Sequence, residues 1–312
     1  MKKIILTISA LSAALFSTAA NADISVSGSA NTVYTDAGGN SEAHIGGAVE
    51  FSLSTTTDAG MTVSTSAAMT NDKDKKGANN ATTGLSSVTF GFASGSITLA
   101  DDVAVPTGTG LVGELVTYAD TNLVTHSNDV KLNGDDDGSG VSATASIGDM
   151  TVKGVYVYDD LHGSDVDGGT GTGQGVSVTI PLGSMTATIA SASFDDAGSD
   201  SSTFGGSLSM AAGAGTLAVG LETSSNDTAT HEGEAYSISY STTLGSASVA
   251  IGYTGYDANS TTSSLTDVTF SQSLGGGVSL IGEISSLTGA GAAAPTSSTD
   301  ETQVAIGTTF SF

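Results

Sequence analysis

Short, glycine-bearing turns alternate with longer polar connections along almost the whole chain, and no other feature constrains the fold as much. The short turns fall near residues 58–60, 94–95, 148–149, 182–184, 212–215, 245–246 and 275–277. Between turns and connections stand segments with a period of two. Ile45, Gly47, Val49, Phe51 and Leu53 oppose Gly46, Ala48, Glu50 and Ser52; Val304, Ile306, Thr308, Phe310 and Phe312 oppose Ala305, Gly307, Thr309 and Ser311. Such a period is a strand with one apolar face and one small or polar face. Tight hairpins need positive φ, which glycine supplies without a steric cost. Read this way, the chain predicts 16 strands, seven tight turns and eight longer connections. A sandwich has no reason to gather every long connection at one end. A membrane barrel does, with an even strand number and spanning strands of about 9–11 residues.

The expected fold is therefore all-β: a transmembrane antiparallel β-barrel of about 16 strands. Charge placement agrees. Glu50, Lys153, Glu222, Asp267 and Glu283 all fall on the parity opposite the apolar one, which makes them candidate pore-wall residues. A Lys on the lipid face at mid-bilayer costs roughly 2–4 kcal/mol, so this separation has a physical cause. Tyr34, Phe92, Tyr158, Phe310 and Phe312 sit near strand ends on the apolar parity and form a candidate membrane girdle. The strand near Met185 is ambiguous, because Ala192 and Phe194 switch parity, and Gln272 is a polar residue on the outward parity.

The chain begins Met1-Lys2-Lys3, continues with an apolar run over residues 4–16, and reaches the small-x-small site Ala20-Asn21-Ala22. This predicts a secretory signal peptide over residues 1–22 and a barrel over residues 23–312. No later apolar run is long enough for a spanning helix. Cys is absent, so no disulfide supplies rigidity. Against 32 Asp and Glu stand 7 Lys and no Arg, a formal net charge of −25. That balance excludes nucleic acid as a partner and favours cations at the surface.

Residues 102–140 form the longest connection, after the fifth strand. Connections of this length are usually functional or disordered, and this one is too apolar to be merely disordered. Leu111, Leu115 and Tyr118 recur at helical spacing, which predicts a short helix near 111–119. A 16-stranded barrel encloses a channel too wide for its wall side chains to fill, so this segment is expected to fold inward and narrow it; a lid over the mouth is the other reading. His44, His126, His162 and His231 are scattered, with no metal-ligand spacing and no catalytic constellation, so no enzyme and no cofactor is expected. The acidic runs Asp135-Asp136-Asp137 and Asp165-Val166-Asp167 lack the alternating acids of a calcium loop and predict at most loose Ca²⁺ binding at the outer connections. A second class stays open here: an exported non-channel β protein such as a Ca²⁺ β-roll, adhesin or surface-layer component.

Several stretches resemble the general porins of alphaproteobacteria. They are FSLSTTTDAG at 51–60, LVGEL at 111–115 with YADTNL at 118–123, GGGVSLIG at 275–282, and the closing Phe310-Ser311-Phe312. The likeness is diffuse but covers nearly all of residues 23–312. It implies a homotrimeric channel in the cell outer membrane, in contact with outer-membrane lipid and lipopolysaccharide, and folded by the barrel assembly machinery. It implies passive diffusion of ions and small hydrophilic solutes. It also places acids on the inward loop, here Glu114, Asp120 and Asp129 with Lys131, facing bases on the wall. This chain departs from that pattern: it has no Arg, and Lys153 is the one wall base. The expected consequence is a preference for cations.

Overall fold

A computed structural model describes residues 22–37, 40–73, 79–104, 137–159, 172–196, 199–226, 233–258, 261–289 and 301–311. Among these, sixteen strands follow in order: β1 (Ala22–Ala37), β2 (Asn40–Thr56), β3 (Thr62–Lys73), β4 (Asn79–Phe92), β5 (Gly95–Ala104), β6 (Asp137–Ile147), β7 (Met150–Asp159) and β8 (Thr172–Leu182). The second half continues with β9 (Met185–Asp196), β10 (Ser199–Ala212), β11 (Gly215–Asn226), β12 (Gly233–Leu244), β13 (Ala247–Ala258), β14 (Thr261–Gly275), β15 (Val278–Thr288) and β16 (Glu301–Ser311). Each strand pairs antiparallel with its sequence neighbours, and β1 pairs with β16 to close a barrel. At that seam Thr32 stands opposite Thr308 and Tyr34 opposite Ile306, and the two threonine hydroxyls meet at 2.9 Å. Closure leaves no unpaired edge, which a bilayer requires. The strand count, the end-to-end pairing and the alternation of connections are those the sequence predicts.

The tight turns follow from local chemistry. Gly148 and Gly183 have φ of 62° and 69°, and positive-φ glycines occupy every tight turn except the one between β4 and β5. The outward parity carries the large apolar side chains: Ile45 is 66% exposed, Phe204 59% and Leu221 68%. Water would not tolerate such a girdle of exposed apolar groups, but lipid does. The ambiguous strand β9 resolves on this pattern, with Ile189 outward and exposed and Ala190 and Ala192 buried on the inner parity.

Most strands are longer than the roughly 9–11 residues expected, reaching 17 in β2, while β5 keeps to 10. Several stretches whose alternation fades are still strand. β1 reaches Ala37 and β2 begins at Asn40; β9 reaches Asp196 and β10 begins at Ser199; β13 reaches Ala258 and β14 begins at Thr261. The long connection is likewise bounded by Ala104 and Asp137 rather than by 102 and 140. Above the bilayer both faces of a hairpin meet water, so the apolar period disappears while the backbone ladder persists. A register shift between Ser66 and Ala67, opposite Leu85 and Ser87, adds a residue to β4. Leu85 and Val88 thus share the outer face despite their odd spacing, as a β-bulge allows.

Candidate pore wall

The inner parity is built from small and hydroxylated residues, with few charges. Glu50 on β2, Lys153 on β7, Glu222 on β11, Asp267 on β14 and Glu283 on β15 all lie on it, as the sequence predicts. Glu50 and Lys153 are exposed; Glu222 and Asp267 are 2% and 4% exposed. Four of these five groups are acids. Glu114, Asp120, Asp129 and Lys131, the predicted loop residues, lie outside the described residues. So do Asp135, Asp136, Asp165 and Asp167 of the acidic runs.

Cross-strand register sets the neighbours of each charge. Lys153 pairs with Ser177, Ser177 with Ala190, Ala190 with Gly205, Gly205 with Glu222, and Glu222 with Ala235. The one base and the first acid thus share a row whose other members are small. In the strand order β7 lies diametrically opposite β15, so Lys153 and Glu283 stand on facing walls. The Asp267 and Glu283 side chains are in hydrogen-bond contact across the β14–β15 pair.

The wall is two-sided. From β11 to β14, buried side-chain oxygens face the interior without a hydrogen-bond partner: both carboxylate oxygens of Glu222, Oγ of Ser224 and Ser237, Oγ1 of Thr254, and Oδ1 of Asp267. On β7 and β9 the same parity carries a cluster of Val155, Val157 and Ala192, with Ala100 of β5 packed against it. These apolar residues stand at closely matched distances along their strands from the tight turns. Neither the hydroxyls nor the apolar arc was singled out from the sequence. The signal was present in β7, where Lys153, Val155 and Val157 share the polar parity against Val152, Gly154 and Tyr156.

Of the predicted girdle, Tyr34, Phe92 and Phe310 are exposed on the outer face. The Tyr158 side chain and Phe312 lie outside the described residues. The girdle includes further rings that the sequence reading left out: Phe204, Tyr236 and Tyr253, the last two with centroids 6.0 Å apart. A Cβ added to Gly255 would meet the Tyr236 ring, one at Gly215 the Tyr240 ring, and one at Gly282 the Phe270 ring. Each aromatic therefore lies over a cross-strand glycine and shields its backbone from lipid, a recognised device in sheets. Just above this belt come the first outward acids, Asp195 opposite Asp200 and Glu234 opposite Asp257. Among the described residues no group of three or more His, Cys, Asp or Glu could hold a metal ion.

A closed barrel with a lipid-compatible outside and a polar, acid-bearing inside is a membrane channel. The chain belongs to the Gram-negative porin family, whose sequence pattern matches residues 9–292. It is therefore an outer-membrane porin, and neither the family nor the fold is enzymatic; the alternative of an exported non-channel β protein is set aside. No curated protein matches the sequence. Among solved structures it is similar to an anion-selective porin from Comamonas acidovorans, at 15% identity and a TM-score of 0.65, covering 94% of this chain and 100% of that one. It is similar to Salmonella typhi OmpF in a complex with daunomycin, at 11% identity and a TM-score of 0.71, covering 93% of this chain and 97% of that one. A mutant of the Rh. blastica porin matches at 17% identity and a TM-score of 0.61, covering 93% and 100%. At these identities the likeness is one of fold.

Proposed function

We propose that the protein is a general diffusion porin that passes ions and small hydrophilic solutes and prefers cations. The observation that carries this reading is the charge of the inner wall: Glu50, Glu222, Asp267 and Glu283 against Lys153. Acid-lined pores bias permeation towards cations. A carboxylate and a cation 4 Å apart gain only about 1 kcal/mol in water, and several-fold more where the effective dielectric falls. The fold does not decide the sign, since the Comamonas relative is anion-selective; wall charges do.

The connection between β5 and β6, residues 105–136, folds into the lumen in this reading, with Glu114, Asp120 and Asp129 beside Lys131 at the narrowest level. What supports it is the apolar content of the connection, Leu111, Leu115 and Tyr118 among others, and a channel too wide for wall side chains alone to fill. The protein is a homotrimer, reaches the membrane by a cleaved signal peptide over residues 1–22, and is inserted by the barrel assembly machinery. Its outward acids meet lipopolysaccharide through loosely held Ca²⁺.

The test is single-channel recording in a planar bilayer. Folded protein gives stepwise K⁺ conductance. Replacing Glu114 by Gln together with Asp120 by Asn lowers cation preference more than neutralising Asp135, Asp136 and Asp137. Equal effects from the two sets would refute the assignment of the narrowing residues.

A further inference from the structure

We propose that Asp267 and Glu283 work as one titrating unit on the inner wall: the two carboxyls share a proton in acid, release it as the medium turns alkaline, and so set how strongly the pore prefers cations. The proposal rests on the reading of the barrel as a cation-preferring channel and names the residues that tune that preference.

The register brings the two groups together. Asp267 on β14 stands opposite Ser285, and Glu283 on β15 stands opposite Thr269, so the acids are diagonal neighbours on one face of the hairpin. Such neighbours lie about 7–8 Å apart, within reach of long side chains. The two side chains close that gap and meet in hydrogen-bond contact. An ionised carboxylate accepts hydrogen bonds but has no proton to donate. A hydrogen bond between two carboxyls therefore needs one of them in its acid form, and two carboxylates in contact cannot both ionise without a strong mutual penalty.

Among the described residues nothing removes that penalty. Asp267 is 4% exposed, and its Oδ1 has no hydrogen-bond partner. A carboxylate at that depth lacks the water and the donors that would hold a full charge. The flanking strands bring no counter-charge: Gly252 and Ala250 of β13 lie on one side, Gln303 and Ala305 of β16 on the other. Lys153, the one base described on the wall, stands on β7, across the lumen from β15. The nearest further acid on the inner parity is Glu222 on β11, three strands from β14.

The pair is asymmetric, and that gives the proton a way out. Asp267 is buried, whereas Glu283 is only half-buried. The shared proton passes from the Glu283 carboxyl to water in the lumen and leaves two carboxylates, one more negative charge than before. The wall is acidic in both states, so the release changes the strength of the cation preference and not its sign. A unit charge about 10 Å from a permeating ion changes the local concentration of that ion roughly twofold in a water-like dielectric.

The experiment is the reversal potential of the whole protein in a planar bilayer under a tenfold KCl gradient, with EDTA present so that no divalent ion stands in for the proton. Wild type, Asp267→Asn and Glu283→Gln are compared from about pH 5 to about pH 9, above the ordinary carboxyl range of about 4 and below the lysine range of about 10.4, so that Lys153 keeps its charge. Each variant leaves one carboxyl facing an amide. Near pH 5 the three channels are expected to differ little in K⁺ over Cl⁻ permeability, because each carries one charge at this place. Towards pH 9 wild type is expected to rise above both variants by about twofold or more, the effect of one added wall charge. Glu222 contributes the same pH dependence to all three, so the difference between the curves isolates the pair. Heat-dependent gel mobility reports folding, and either single variant suffices for the comparison. A variant that lies below wild type by the same factor at every pH shows two independent carboxylates and overturns the unit. Curves that coincide at every pH overturn it as well, while leaving the channel standing. Folded wild type without K⁺ current overturns the channel reading and the unit with it.

Discussion

Substituting Gly307 by Ala tests the seam that closes the barrel. Gly307 pairs with Val33 of β1 on one side and with Ile281 of β15 on the other. A Cβ built on it would meet the Thr32 carbonyl oxygen, lie 2.9 Å from Val33 Cγ2 and 3.1 Å from Val33 Cα. Two of these atoms are backbone, so the clash is relieved only by moving β1 away from β16. Ile281, Val33 and Ala305 form a buried cluster at the same place, which leaves no slack on the inner side. Overpacking of this kind costs about 1–3 kcal/mol. The control is Gly154→Ala, where an added Cβ has nothing within 4 Å. That change is expected to be neutral or to stabilise by about 0.4–1 kcal/mol through the unfolded chain. The assay is the temperature at which purified protein in detergent loses its fast, folded mobility on a gel. Gly307→Ala should lower this midpoint and Gly154→Ala should not. Equal midpoints for both variants and wild type would refute the argument that the seam is sterically fixed.

Other outcomes follow from the outer face and the wall. Gly255→Val should lower the same midpoint, because the Tyr236 ring that lies over Gly255 has to move, again on a scale of about 1–3 kcal/mol. The opposed acids Asp195 with Asp200 and Glu234 with Asp257 repel across their strand pairs. Ca²⁺ should therefore raise the midpoint of wild type, and Asp200→Asn with Asp257→Asn should remove most of that response. Lys153→Gln should strengthen cation preference, since it removes the one base described on the wall; an unchanged reversal potential would count against any role for Lys153 in the field.

Architecture was legible in the sequence because lipid and water impose opposite demands on alternate residues. Ile45 and Leu221 mark the outer face, and Glu222 and Asp267 mark the inner one, with no need for tertiary information. The extents of β1, β2, β9 and β10 were not legible, because above the bilayer the Asp36–Ser41 and Asp195–Asp200 regions meet water on both faces and lose their period while keeping their ladder. Parity could place Glu222 on the wall, but not the row that brings Ala190, Gly205 and Ala235 beside it, since that depends on the register of four strands. Val155 and Val157 were missed for a related reason: an apolar residue on the inner parity looks like noise until Ala100 and Ala192 are seen to pack with it.

The central claim is that the acids of the inner wall govern what passes. Its most direct measurement is the reversal potential of the wild-type channel under a tenfold KCl gradient, repeated at higher total salt. A potential of the sign set by K⁺ is predicted, shrinking as the screening length falls from about 10 Å at 0.1 M to about 3 Å at 1 M. A potential of the sign set by Cl⁻, or none at low salt, contradicts the account.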